Sequence, residues 1–116
     1  MQTAVIALDS KQLTIILKKM LEDLGFTCFA TDTAEQLISF VKEKKAEVLF
    51  TDWALSGQDI ETILPKLPSV PTHIFVSKEK SPEIIQKALD LGAREYIMKP
   101  FDNDILQSKL SLAGLL

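Results

Sequence analysis

The most constraining feature of this sequence is a set of short apolar runs that contain no polar alternation. VIAL at 5–8, VLF at 48–50 and IFV at 74–76 are three such runs. A strand with one face in water alternates apolar and polar residues, whereas uninterrupted runs of this length are typical of strands covered on both faces. Sheets covered on both faces are mostly parallel, so the runs predict a parallel sheet between two layers of helices.

The segments between the runs have the periodicity and the boundary signals of helices. Apolar residues recur at helical spacing from Leu13 to Leu24 and stop at Gly25, a residue that commonly ends helices. Thr33 with Gln36 forms a capping box, and Ser81 is followed by Pro82, which is favoured at the first helical position. The predicted strands, each followed by a helix, are 3–8, 26–30, 48–51, 73–77 and 95–98.

Five strand–helix units joined by short connections require parallel pairing and right-handed crossovers. The sequence therefore predicts one α/β domain over residues 1–116, which is a suitable length for a single core. Its expected form is flavodoxin-like: a doubly wound, five-stranded parallel sheet in the order 2-1-3-4-5 between two layers made by five helices. The third helix is expected to be short, from about Asp59 to Leu64, and to end at Pro65.

Charge and composition exclude several classes of protein. The net charge is −3, with 13 basic and 16 acidic residues spread along the chain, which gives no electrostatic footprint for nucleic acid. No apolar run is long enough for a membrane span, and the N-terminus lacks the basic region of a secretory signal, so a cytoplasmic protein is expected. The single cysteine, Cys28, has apolar neighbours and is predicted to be a small buried hydrophobe.

Polar side chains stand at the carboxyl ends of four predicted strands, where open parallel sheets bind ligands. They are Asp9, Asp52, Ser77 and Lys99. Taken singly, each has an ordinary explanation as a helix cap, a turn residue or a solvated charge. Together, two carboxylates suit a hard cation such as Mg²⁺, and a hydroxyl with an ammonium group suits phosphoryl oxygens. The four residues therefore predict a site that binds Mg²⁺ and a phosphoryl group at the carboxyl edge of the sheet.

Several motifs over essentially the full length carry a family resemblance. They are ALDS, LGF after the first helix, FTDW, FVS and LGAREYIMKPF. With them the chain resembles a response-regulator receiver domain of bacterial two-component signalling, of the stand-alone chemotaxis type. The resemblance makes Asp52 the phosphoacceptor, Lys99 and Ser77 its catalytic partners, and Tyr96 the aromatic switch residue. It also implies a peptide bond before Pro100 that is usually cis.

The resemblance further implies a cofactor and partners. Mg²⁺ would be bound by Asp9, Asp52 and the backbone carbonyl of Ala54. The phosphoryl group would come from a phosphohistidine on a sensor histidine kinase or a histidine phosphotransfer protein. Ser77 and Tyr96 would then rearrange the face formed by the fourth helix, fifth strand and fifth helix, which would contact a downstream target, an output domain or a second copy. Such a domain is a signalling switch, with self-catalysed phosphoryl transfer and dephosphorylation at most.

Some positions depart from the family pattern and keep two alternatives open. Leu8 stands where the family has the first of two adjacent acids, and Lys78 stands where it has a small residue. Ser56 and Ile60 replace a proline and a glycine of the loop after Asp52. One alternative is a pseudo-receiver that binds proteins without phosphorylation. The other, a phosphohydrolase with an aspartate nucleophile, is disfavoured because its second aspartate is here Ala54.

Overall fold

The computed structural model describes residues 2–116 and contains strands and helices that alternate along most of the chain. The strands are β1 (Thr3–Ala7), β2 (Thr27–Thr31), β3 (Val48–Thr51), β4 (Ala54–Leu55), β5 (Gln58–Asp59), β6 (Thr72–Ser77) and β7 (Glu95–Met98). The helices are α1 (Lys11–Asp23), α2 (Ala34–Glu43), α3 (Ile60–Ile63), α4 (Pro82–Asp90) and α5 (Asn103–Leu112), with a 3₁₀ turn at Leu64–Lys66.

Five of these strands form one parallel sheet in the order β2-β1-β3-β6-β7. In chain order this is the predicted 2-1-3-4-5 arrangement, which is confirmed. β1 lies between β2 and β3, with Ala7 paired to Thr31 on one side and to Thr51 on the other. The strand order therefore reverses at β1, and the carboxyl ends of β1 and β3 lie side by side at the place where such sheets bind ligands.

Each strand of the five-stranded sheet contributes to two cores, which explains the uninterrupted apolar runs. Ile6 and Phe50 are fully buried beneath α1 and α5, whereas Val5, Leu49 and Phe75 are fully buried beneath α2, α3 and α4. A polar residue at any of these positions would leave a buried group without water, so neither face tolerates the alternation of a half-exposed strand.

Side-chain caps fix the starts of four helices. The side chains of Ser10, Thr33, Ser81 and Asp102 each accept a hydrogen bond from the backbone N–H three residues later. Such a cap contributes about 1 kcal/mol relative to alanine. Since Ser10 caps α1, the carboxylate of Asp9 does not have that role.

The segment between β3 and β6 departs from a simple strand and helix. β4 and β5 pair antiparallel around a two-residue turn in which Ser56 and Gly57 have φ angles of 51° and 77°. Positive φ at both central residues is the requirement of a tight hairpin turn, and Ser-Gly is a known turn dipeptide. The α-helical part of α3 is a single turn that ends before Pro65, as expected, but the chain continues as a 3₁₀ turn through this proline.

No helix within residues 2–116 has the length and apolar character that crossing a membrane requires.

Candidate functional site

The fold brings the predicted polar residues to one edge of the sheet, and two of them form an ion pair. Asp52 follows β3, and Lys99 follows β7. The Lys99 Nζ atom donates to Asp52 Oδ2 at 3.1 Å, although β6 lies between their two strands. The backbone N–H of Lys99 donates to the carbonyl of Ser77 at 2.9 Å, and the Lys99–Pro100 bond is cis.

The Asp52 carboxylate is partly buried and is held at both oxygens. Its Oδ1 accepts the backbone N–H of Trp53 at 2.6 Å, while Oδ2 accepts from Lys99. The side chains of Asp52 and Lys99 are 28% and 26% exposed, so the pair remains accessible from solvent. A carboxylate with restrained orientation, a fixed cation beside it and an open approach has the requirements of a nucleophile.

Asp9 is attached to the hairpin that follows Asp52. Its Oδ1 accepts the backbone N–H of Ser56 at 2.9 Å, and the Ser56 hydroxyl donates to the backbone carbonyl of Asp32 after β2. Ser56 thus links the carboxyl ends of β1 and β2 to the loop after β3. The sequence did not predict this role for Ser56, although the Ser56-Gly57 pair is typical of a tight turn.

The donor set at this edge fits Mg²⁺. Asp9 and Asp52 follow adjacent strands, and the carbonyl of Ala54 lies two residues beyond Asp52. Leu8 is buried under α1 and, as a leucine, supplies no third carboxylate. Residues 2–116 contain no cluster of three or more His, Cys, Asp or Glu suited to a metal. Mg²⁺ is commonly held by only one or two carboxylates together with water and phosphate oxygens, so the oxygen donors present are sufficient.

The two predicted switch residues both form hydrogen bonds to the backbone of Glu79. Ser77 is 1% exposed, and its Oγ accepts the backbone N–H of Glu79 at 3.2 Å. Tyr96 is 5% exposed, and its hydroxyl donates to the carbonyl of Glu79 at 2.7 Å. The Tyr96 ring therefore lies inside the fold, where it stacks on Phe75 with ring centroids 5.7 Å apart.

Lys78, the cation that replaces a small residue beside Ser77, is exposed. Within residues 2–116 it makes no ion pair with a carboxylate, and the cation that pairs with Asp52 is Lys99.

A buried polar pair includes the residue that precedes Asp52, the predicted phosphoacceptor. His73 on β6 is 1% exposed, and its Nε2 atom lies 2.7 Å from the hydroxyl oxygen of Thr51, the residue before Asp52. Burial lowers the pKa of His73 from 6.5 to about 4, so the imidazole is neutral at physiological pH. Its Nδ1 atom has no hydrogen-bond partner within residues 2–116.

Cys28 is buried, as predicted. Burial, and to a lesser extent the negative charge of Glu22, raises the pKa of the Cys28 thiol to about 11. The thiolate is therefore scarce at neutral pH, which agrees with an inert core residue.

Comparison with known proteins agrees with this geometry. Residues 4–111 match the family model described as the response regulator receiver domain. A putative response regulator NtrX-like protein of Rickettsia typhi is 30% identical over 104 residues, which cover 84% of this chain but only 22% of that protein. The chemotaxis protein CheY of Pseudomonas aeruginosa is 28% identical over 109 residues, which cover 88% of this chain and 87% of that protein.

Solved structures share the fold. A two-component response regulator from Clostridium difficile superimposes with a TM-score of 0.87 at 22% identity, covering 98% of this chain and 96% of that one. The receiver domain of the sensor histidine kinase PA1611 from Pseudomonas aeruginosa, described with a magnesium ion coordinated in its active site cleft, gives a TM-score of 0.80 at 17% identity, with coverage of 97% and 98%. With the family model matching 108 of the 116 positions, this chain belongs to the response regulator receiver domain family.

Proposed function

We propose that this receiver domain acts in the cytoplasm as a phosphorylation switch whose phosphoacceptor is Asp52. The observation that carries the proposal is the ion pair between Lys99 and Asp52 at the carboxyl edge of the sheet. A lysine fixed on the phosphoacceptor is placed to neutralise phosphoryl oxygens after transfer. The donor is a phosphohistidine of a sensor histidine kinase or a histidine phosphotransfer protein.

In the transfer step a carboxylate oxygen of Asp52 forms a bond to phosphorus as the bond between phosphorus and the donor imidazole nitrogen breaks. The electron pair of that bond returns to the imidazole, which is then protonated. Before transfer, Lys99 donates a hydrogen bond to the carboxylate of Asp52. After transfer, its ammonium group pairs with the phosphoryl oxygens. When bound by Asp9, Asp52 and the Ala54 carbonyl, Mg²⁺ supplies further charge neutralisation at these oxygens.

Ser77 is placed to respond to the phosphoryl group. Its hydroxyl oxygen accepts the Glu79 N–H, which leaves its own hydrogen for a phosphoryl oxygen. Because the Glu79 carbonyl also accepts a hydrogen bond from Tyr96, movement of Ser77 reaches the tyrosine through the backbone of this one residue. This is the route by which the state of Asp52 affects the packing around β7.

The proposed output face consists of α4, β7 and α5 and contains exposed apolar side chains on each element. Leu89, Met98 and Ile105 are 44%, 46% and 42% exposed. Exposed apolar side chains on all three elements suit a protein interaction surface. We propose that a downstream target, an output domain or a second copy of this chain binds there.

A pseudo-receiver remains the second candidate, and one observation favours it. Leu8, which stands where the family has an acid, is 2% exposed and packs in the core beneath α1. The proposed cation site therefore has one carboxylate fewer than the family pattern. In this alternative the output face would bind partners without any reaction at Asp52.

Metal and phosphoryl-analogue binding separates the two functions, and Trp53 reports on both because it is the only tryptophan. Mg²⁺ followed by beryllofluoride is expected to change Trp53 fluorescence in a saturable manner. Asp9→Asn should weaken Mg²⁺ binding more than about tenfold, since even residues that only support a metal ligand contribute 10- to 100-fold. Asp52→Asn should remove the beryllofluoride response.

The matched control is Asp59→Asn. Asp59 is an exposed carboxylate in the β4–β5 hairpin, and its side chain does not cap α3. This variant should behave as the wild type. A folded wild-type protein that gives no beryllofluoride response at saturating Mg²⁺ would favour the pseudo-receiver.

A further inference from the structure

Trp53 is hydrogen-bonded to the phosphoacceptor through its backbone and to the switch tyrosine through its side chain. Its backbone N–H donates to Asp52 Oδ1 at 2.6 Å. Its indole Nε1–H donates to the hydroxyl oxygen of Tyr96 at 3.0 Å. This contact is independent of the route through Ser77 and Glu79.

The two hydrogen bonds at the Tyr96 hydroxyl are complementary. The hydroxyl hydrogen is donated to the Glu79 carbonyl, so an oxygen lone pair is left for the indole N–H. An indole N–H has no acceptor function and needs an acceptor where it is removed from water. If Tyr96 turned outward, both the Trp53 N–H and the Glu79 carbonyl would lose their partner.

The indole itself is held in one position. Its ring lies 4.5 Å from the ring of Phe75, which also stacks on Tyr96. On another side the Lys87 ammonium lies 5.8 Å from the indole centroid, and Lys87 pairs with Glu61 at 2.8 Å. The Lys87–Glu61 pair therefore joins α4 to α3 beside the indole.

We infer that Trp53 is a positioning residue that holds Tyr96 in its inward position and so couples the loop after Asp52 to the α4–β7–α5 face. The effect of this coupling on signalling depends on the proposed function. The inward position of Tyr96 does not depend on the proposed function, because side chains and backbone of this chain make every contact that holds it.

The sequence allows a selective test because it contains one tyrosine and one tryptophan. 3-Fluorotyrosine gives a single ¹⁹F resonance from Tyr96, and an analogue in which benzothiophene replaces indole removes only the N–H. The analogue is expected to shift the ¹⁹F resonance and to increase its broadening by a soluble paramagnetic agent. Loss of one hydrogen bond should change the ratio of outward to inward Tyr96 about fivefold.

Trp53→Phe should change both signals in the same direction. Phe40→Leu is the matched control, since it disrupts an aromatic pair with Phe29 that does not touch Tyr96, and it should leave the ¹⁹F resonance unchanged. Identical ¹⁹F shift and broadening with indole and benzothiophene would overturn the inference, whether or not Asp52 accepts phosphate. Because the analogue is isosteric, this comparison decides the question even if Trp53→Phe fails to fold.

Discussion

Replacing Lys99 with methionine is expected to slow phosphoryl transfer from a small phosphodonor to Asp52 by about a hundred- to a thousandfold. Loss of one preorganised group that stabilises developing charge typically has an effect of this size. In this chain Lys99 is the cation paired with Asp52. Methionine keeps an unbranched side chain but removes the ammonium, so packing against the sheet changes little. The rate of mass gain measured by time-resolved intact mass spectrometry checks the prediction.

Lys109→Met is the matched control. Lys109 pairs with Glu95 at 3.2 Å with side chains 33% and 22% exposed, which is close to the burial of the Lys99–Asp52 pair. The control should transfer phosphate at the wild-type rate, because it removes a similar ion pair away from Asp52. Equal rates for the two lysine variants would contradict the role assigned to Lys99.

The buried His73–Thr51 pair is expected to make the fold sensitive to acid. In the unfolded chain the pKa of His73 is near 6.5, and in the fold burial lowers it to about 4. The unfolded state therefore binds the proton more readily as pH falls below 6.5. Stability conferred by neutral His73 is present above that pH, decreases as pH falls to about 4, and is lost below it. Between about pH 7 and about pH 4.5 the loss from this group is about 2–3 kcal/mol.

Urea unfolding at the two pH values measures this loss, and the double variant His73→Leu with Thr51→Val provides the comparison. Replacing both partners avoids leaving the Thr51 hydroxyl unpaired in the core. The decrease in unfolding free energy on acidification should be smaller in the double variant by about 2–3 kcal/mol, the contribution of the histidine. An equal decrease in both proteins would show that His73 does not titrate in this range.

Local sequence signals were sufficient to predict the sheet and the location of the site. The apolar runs containing Val5, Phe50 and Phe75 identified strands covered on both faces, because burial on both sides removes the polar alternation. Once the strands were placed, the parallel topology brought Asp9, Asp52, Ser77 and Lys99 to one edge without further information. The strand order and the fold were confirmed.

The side-chain hydrogen bonds around Asp52 could not be predicted from the sequence, because they join residues that are distant in the chain. No local sequence pattern identifies Trp53 and Tyr96 as partners, and none identifies Thr51 and His73. Both pairings depend on the directions of side chains across the sheet. The hairpin at Ser56 is an intermediate case. The turn dipeptide was visible in the sequence, but its hydrogen bond to Asp9 depends on how the loop packs over β1.

Acceptance of a phosphoryl group by Asp52 can be measured by intact mass spectrometry after incubation of the protein with acetyl phosphate and Mg²⁺. The wild-type protein should gain the mass of one phosphoryl group, and Asp52→Asn should gain none under the same conditions. The gain should also be absent when the metal is chelated. A folded wild-type protein whose mass stays unchanged, or a gain of equal size in Asp52→Asn, would show that Asp52 is not the phosphoacceptor.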